Sequence, residues 1–159
     1  MTAAVNLSAQ DETSELPLPG DVVEKSLYVI VGTRIVGETV NDFQNSFYRL
    51  TLPGKPVTIK VRARDGRIII HFTPYLTGGD YYVLFAQNEI WAKPAEGESL
   101  QYFTSFSSIP LHFGDKAIFY PMGKKEKGEY IQMIVVIVPY NWVADKGIQP
   151  ESFLVDQKK

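Results

Sequence analysis

From Val22 onward the chain reads as short strands, and in several of them hydrophobic and polar positions alternate with a period of two, which is the signature of half-buried β-strands. The alternation is clearest in Val57–Thr73, VTIKVRARDGRIIIHFT. Asp65-Gly66 reads as a two-residue hairpin turn, because both positions of such a turn want positive φ. Folding there sets Arg64 opposite Arg67, Arg62 opposite Ile69 and Lys60 opposite His71. Val57, Ile59, Val61 and Ala63 then share a face with Ile68, Ile70 and Phe72. The other face carries Lys60, Arg62, Arg64, Arg67 and His71. A one-residue slip would drive those charges into the core, so the assignment of faces is strongly specified.

The same pattern predicts further strands. Leu27–Val31 and Arg34–Val36 form a long strand with a bulge or bend suggested by Gly32 and Gly37. Phe47–Leu52 ends at the turn Pro53-Gly54. Thr77–Asp80 makes another turn. Tyr81–Ala86 and Glu89–Lys93 suggest a hairpin about Gln87-Asn88, since Asn accepts the left-handed conformation. With Tyr81 and Phe85 inward, that folding leaves Tyr82 and Leu84 outward, with Leu84 facing Trp91. Residues 95–98 form a turn, Leu100–Phe106 and Ile109–Phe113 are short strands, and Lys116–Tyr120 pairs with Tyr130–Val138. Pro150 suits the first position of a short helix in the tail.

Short strands punctuated by turns every eight to twelve residues point to an all-β domain, an antiparallel β-sandwich of immunoglobulin-like general architecture. The boundaries read as a flexible, polar arm over 1–20, the sandwich over 21–140, and a C-terminal tail with a short helix over 141–159. Gly79–Ala86, GDYYVLFA, has a Gly-x-x-Tyr-x-x-Phe pattern. Together with Leu27–Val36 upstream it resembles the netrin-like, OB-fold type of bacterial domain. That resemblance implies a small β-barrel as the alternative architecture. The cysteines seen in many members of that group are missing, and no functional residue is carried over.

Composition narrows the function classes. The chain has 159 residues and a formal net charge of −2, which gives no global attraction to nucleic acid, so none is expected as a partner. With no cysteine, disulfides, thiolate nucleophiles and Cys-ligated zinc are excluded. No apolar run approaches the ~20 residues that span a bilayer as a helix. The first residues lack the basic and apolar regions of a signal peptide. The reading is therefore either a cytoplasmic protein or one whose leader has been replaced by Met1. All-β build, absent cysteine and a polar arm favour a bacterial, exported protein, periplasmic or extracellular, with the cytoplasm as the alternative.

Catalytic motifs are not found: there is no phosphate-binding glycine loop, no metalloprotease helix and no nucleophile elbow. The expectation is a non-enzymatic protein with no cofactor, catalytic residue or metal site. The positive signals are two. A basic stripe of Lys60, Arg62, Arg64, Arg67 and His71 repels itself and so invites an anionic partner such as an acidic protein surface. An aromatic cluster offers Tyr82, Trp91 and Tyr102 as exposed contact residues. Together they suggest a binding or assembly module that contacts another protein. One alternative is a carbohydrate-binding module stacking sugars on Trp91, Tyr82 and Tyr102. The other is a small hydrolase or metal enzyme, which would need His71 and His112 close together, completed by Asp80 or Glu89.

Overall fold

A computed structural model describes residues 20–37, 45–63, 66–93, 97, 99–124 and 126–155. Residues 1–19 of the expected arm, Arg64, Asp65 and most of the turn at 95–98 lie outside the described residues, while Gly20 opens a helical turn. Among the described residues, a single helical turn α1 (Gly20–Val23) is followed by eight strands: β1 (Leu27–Val36), β2 (Asn45–Thr51), β3 (Val57–Ala63), β4 (Gly66–Gly78), β5 (Tyr81–Ala92), β6 (Gln101–His112), β7 (Lys116–Phe119) and β8 (Tyr130–Pro139). A short helix α2 (Tyr140–Ala144) and a 3-10 helix over Pro150–Leu154 close the described chain. The strands make two four-stranded sheets, ordered β2-β1-β8-β7 and β3-β4-β5-β6, with antiparallel pairing throughout.

The fold is an all-β sandwich. The barrel alternative is overturned, because the strands form two separate sheets rather than one closed ladder. The second sheet is an uninterrupted meander, as short connections between consecutive strands favour. Between the sheets lies the main core. Val29 and Val31 of β1, with Met133, Val135 and Ile137 of β8, meet Ile59, Ile68, Ile70, Phe72, Tyr82 and Leu84 from the meander, all at most 1 % exposed. Fully burying one such aliphatic or aromatic side chain stabilises by about 1.5–3 kcal/mol.

The first sheet has a second core on its outer face. Ile30 of β1 and Ile134, Val136 and Val138 of β8 are covered by Val143 of α2 and Leu154 of the 3-10 helix. Two-sided burial explains why Ile131–Val138 reads as a nearly continuous apolar run. Pro150 sits at the start of the 3-10 helix, where its fixed φ fits and no backbone donor is lost. Among the described residues, the two C-terminal helices thus cover the outer face of the β2-β1-β8-β7 sheet.

Several local expectations are corrected. The β3–β4 faces are sorted as expected, but partners are displaced by two: Arg62 meets Arg67, Lys60 meets Ile69 and Thr58 meets His71. Alternation fixes only the parity of a register, and a two-residue displacement leaves every side chain on the same face. Gly66 is therefore not a turn residue. It pairs with both Ala63 and Ala92, and an added Cβ would lie 2.3 Å from the Trp91 carbonyl oxygen. Gly66 serves close approach of two strands. No hairpin forms at Gln87-Asn88; β5 is one strand, in which Gln87 pairs with His71 on one side and Phe106 on the other. Likewise β6 is continuous across residues 106–109, and β1 passes Gly32 without a bulge, in unbroken register with β8.

Candidate functional site

The outer face of the β3–β6 sheet is built from cross-strand rows. One row runs Arg62, Arg67, Trp91, Tyr102; the next Lys60, Ile69, Glu89, Thr104; the next Thr58, His71, Gln87, Phe106. Side chains of one row stand on one face and are close enough to touch. The Arg67 guanidinium lies over the Trp91 ring, 4.7 Å from its centroid, which is cation–π geometry. Trp91 and Tyr102 follow at 5.0 Å, tilted by 50°. Arg62 and Arg67 are exposed and directly opposite each other, so the like charges cost a few tenths of a kcal/mol or more.

A hydrogen-bonded chain crosses these rows. Thr58 Oγ1 and His71 Nδ1 are 2.8 Å apart, and His71 Nε2 lies 3.2 Å from Glu89 Oε2. The Tyr102 hydroxyl donates to Glu89 Oε1 at 3.1 Å. The Tyr102 phenol titrates above its ordinary value, first through desolvation, then through the hydrogen bond and negative charge of Glu89, offset in part by the Thr104 hydroxyl. Farther along the face, Phe106 packs on Phe85 at 5.2 Å and Phe85 on Tyr75 at 5.0 Å. Phe106 is 64 % exposed.

The sequence-predicted residues divide. Lys60, Arg62, Arg67, His71, Trp91 and Tyr102 are brought onto one face; Arg64 lies outside the described residues. Tyr82 is corrected: it is 0 % exposed and belongs to the main core. The physical reason is the continuity of β5. Gln87, Glu89 and Trp91 mark the outward parity, which places Tyr82, Leu84 and Ala86 inside. A sugar platform of Trp91, Tyr82 and Tyr102 therefore does not exist. Phe106, Phe85 and Tyr75 were missed as members of this face. The polar residues Gln87 and Glu89 carried the signal that could have found them.

Thr58, His71 and Glu89 stand in the order of nucleophile, base and orienting acid. Acyl-transfer chemistry also needs donors for a developing oxyanion. In a sheet the backbone N–H groups lie in the sheet plane and serve the ladders, so none rises from this open face. The Thr58, His71 and Glu89 contacts tie β3, β4 and β5 together on this face. His71 and His112 are not neighbours: His71 stands beside Gln87 and His112 beside Tyr81. Six residues of β5 separate those levels, roughly 20 Å at ~3.3 Å per residue. The paired-histidine metal site is thereby ruled out. Among the described residues no cluster of His, Cys, Asp or Glu could hold a metal ion, and no helix is long and apolar enough to cross a membrane.

Set against protein-family models, curated proteins and solved structures, the chain matches none.

Proposed function

We propose that this protein is a non-catalytic binding module whose outer β3–β6 face contacts an acidic surface of another protein. The observation that carries this reading is the Arg62–Arg67–Trp91–Tyr102 row, in which two directly opposed arginines and two rings packed at a tilt stand on an open sheet face. Arginine and large aromatics are the residues that dominate protein–protein hot spots. A carboxylate brought against Arg62 and Arg67 relieves their mutual repulsion and gains charge-assisted hydrogen bonds. The exposed Phe106 and Tyr75, with the half-buried Phe85 between them, extend this face with apolar area suited to a protein surface. Arg67 occupies one side of the Trp91 ring, which leaves less of that ring for a sugar. The location that accompanies this reading is the bacterial cell envelope, periplasmic or extracellular. The absent cysteine and the all-β build support it.

Selection of displayed random peptides on the immobilised full chain tests the reading. The expected peptides are rich in Asp and Glu with an aromatic residue, bind more weakly as salt rises, and lose ~tenfold or more in affinity with Arg67→Glu. Uncharged peptides indifferent to Arg67→Glu contradict it. Retention on an insoluble polysaccharide that disappears with Trp91→Ala contradicts it in favour of a carbohydrate-binding module.

A further inference from the structure

Natural sheets guard their edges against strand pairing with charge, proline, bulges or shortness. Three of the edges here are guarded. β3 carries Lys60 and Arg62, β2 carries Arg49, and β7 runs only four residues and begins at Lys116. The fourth edge is β6, twelve residues long, QYFTSFSSIPLH, without Lys, Arg, Asp or Glu. Both of its side-chain faces are exposed from Gln101 to Ser108. Phe103 points toward the inner face yet is 53 % exposed, and Phe106 on the outer face is 64 % exposed.

The hydrogen bonds show which backbone groups of β6 face the open side. The Gly54 N–H donates to the Pro74 carbonyl at 2.7 Å, so Pro74 directs its backbone away from β5. Its partner Leu84 then turns toward Ile109, Val83 turns toward Tyr75, and Pro110 faces the open edge. The far end agrees. The Phe113 N–H donates to the Asp80 carbonyl on the β5 side, and the His112 N–H, on the open side, is capped by Asp115 Oδ2 at 2.9 Å. Proline at 110 and the cap at 112 close that end of the edge. Because the β5–β6 register is unbroken, alternation turns the N–H and C=O of Tyr102, Thr104, Phe106 and Ser108 outward. None of these makes a backbone hydrogen bond to another described residue on that side.

We propose that the open stretch Tyr102–Ser108 pairs with the same stretch of a second copy of this chain, antiparallel across a two-fold axis, joining the two meanders into one continuous sheet. One register uses every outward group: Tyr102 with Ser108 and Thr104 with Phe106, each pair exchanging both hydrogen bonds. Each aromatic then faces a small hydroxyl residue, with Phe103 opposite Ser107. The two Phe106 rings come within diagonal reach of each other. A charge placed near a two-fold axis meets its own copy, and this edge alone lacks one. A foreign strand would not require that self-complementary pattern. The pairing is independent of what the outer face binds.

Sedimentation velocity of the full chain over a wide concentration range, with amide hydrogen exchange at both ends of the range, tests the pairing. A reversible monomer–dimer equilibrium is expected. In dilute solution the amides of Tyr102, Thr104, Phe106 and Ser108 exchange fast while those of Phe103, Ser105 and Ser107 are slow; at high concentration the former become protected. Thr104→Pro removes an N–H that the fold's own ladder does not use, as Pro110 already does. Phe106→Lys keeps the backbone intact and sets two cations near the axis. Both are expected to weaken the dimer ~tenfold or more with an unchanged circular dichroism spectrum. A monomer at every concentration, a dimer that persists in both variants, or open-ended assembly overturns the proposal.

Discussion

Tyr82→Phe removes one oxygen from the centre of the sandwich and is expected to stabilise the protein. Tyr82 is 0 % exposed and stacks on Phe113 at 5.3 Å, and its hydroxyl makes no hydrogen bond of full geometry, although the Ile137 backbone lies close enough to favour its ionised form. An unpaired buried hydroxyl costs about 1–3 kcal/mol of desolvation, and phenylalanine keeps the ring contacts. We expect a gain of about 1 kcal/mol, seen as a urea midpoint raised by about 0.5 M at an unchanged slope of roughly 2 kcal/mol/M. The pH dependence is a second readout. Burial pushes the Tyr82 phenol far above its ordinary value, the negative charge of Asp115 adds to the rise, and the Ile137 backbone partly offsets it. Above the ordinary phenol pKa of about 10 the unfolded chain loses this proton while the folded chain keeps it. The unfolded state then binds fewer protons, so stability falls as pH rises, by about 1.4 kcal/mol per pH unit. That fall continues until the folded phenol itself ionises. Below pH ~10 the wild type and the variant run parallel; above it the wild type drops relative to the variant. A loss of more than ~1 kcal/mol in Tyr82→Phe would show that the hydroxyl is bonded in the native protein. Parallel curves above pH ~10 would show that the ring is not buried.

Leu154→Ala opens the second core between the 3-10 helix and β8, and should cost about 2–3 kcal/mol in urea unfolding; a neutral result would mean the tail does not pack there. Gly66→Ala forces a methyl group against the Trp91 carbonyl, and should destabilise by about 1–3 kcal/mol with a shifted Trp91 fluorescence; an unchanged protein would place Gly66 in an open turn instead. Glu89→Gln removes the negative charge beside Tyr102 while keeping an acceptor oxygen, so the Tyr102 phenol should titrate lower by NMR, whereas no movement would show that the two side chains do not meet.

What the sequence made legible was parity. In β3 and β4 the alternation of Ile59, Val61, Ile68 and Ile70 with Lys60, Arg62 and Arg67 places every side chain on its observed face. The choice between registers two residues apart was not legible, because it depends on Gly66 fitting against Trp91 on a third strand, a contact distant in sequence. In β5, treating Asn88 as a turn residue broke one strand into two and reversed the faces of Tyr81–Ala86. The pairing of β5 with long neighbours on both sides overrides that local preference. The covering of the first sheet by Val143 and Leu154 was hidden for a similar reason. Short helices gain their place from tertiary packing rather than from their own pattern.

Hydroxyl-radical footprinting of the dilute chain, with and without a selected acidic peptide, is the most direct test of the outer β3–β6 face as the contact surface. Trp91 and Tyr102 should be oxidised in the free protein and protected in the complex, while Ile118, on the other sheet, keeps the same rate. Protection confined to the β1–β8 sheet and its covering tail, or no protection near Arg67 at saturating peptide, would contradict it.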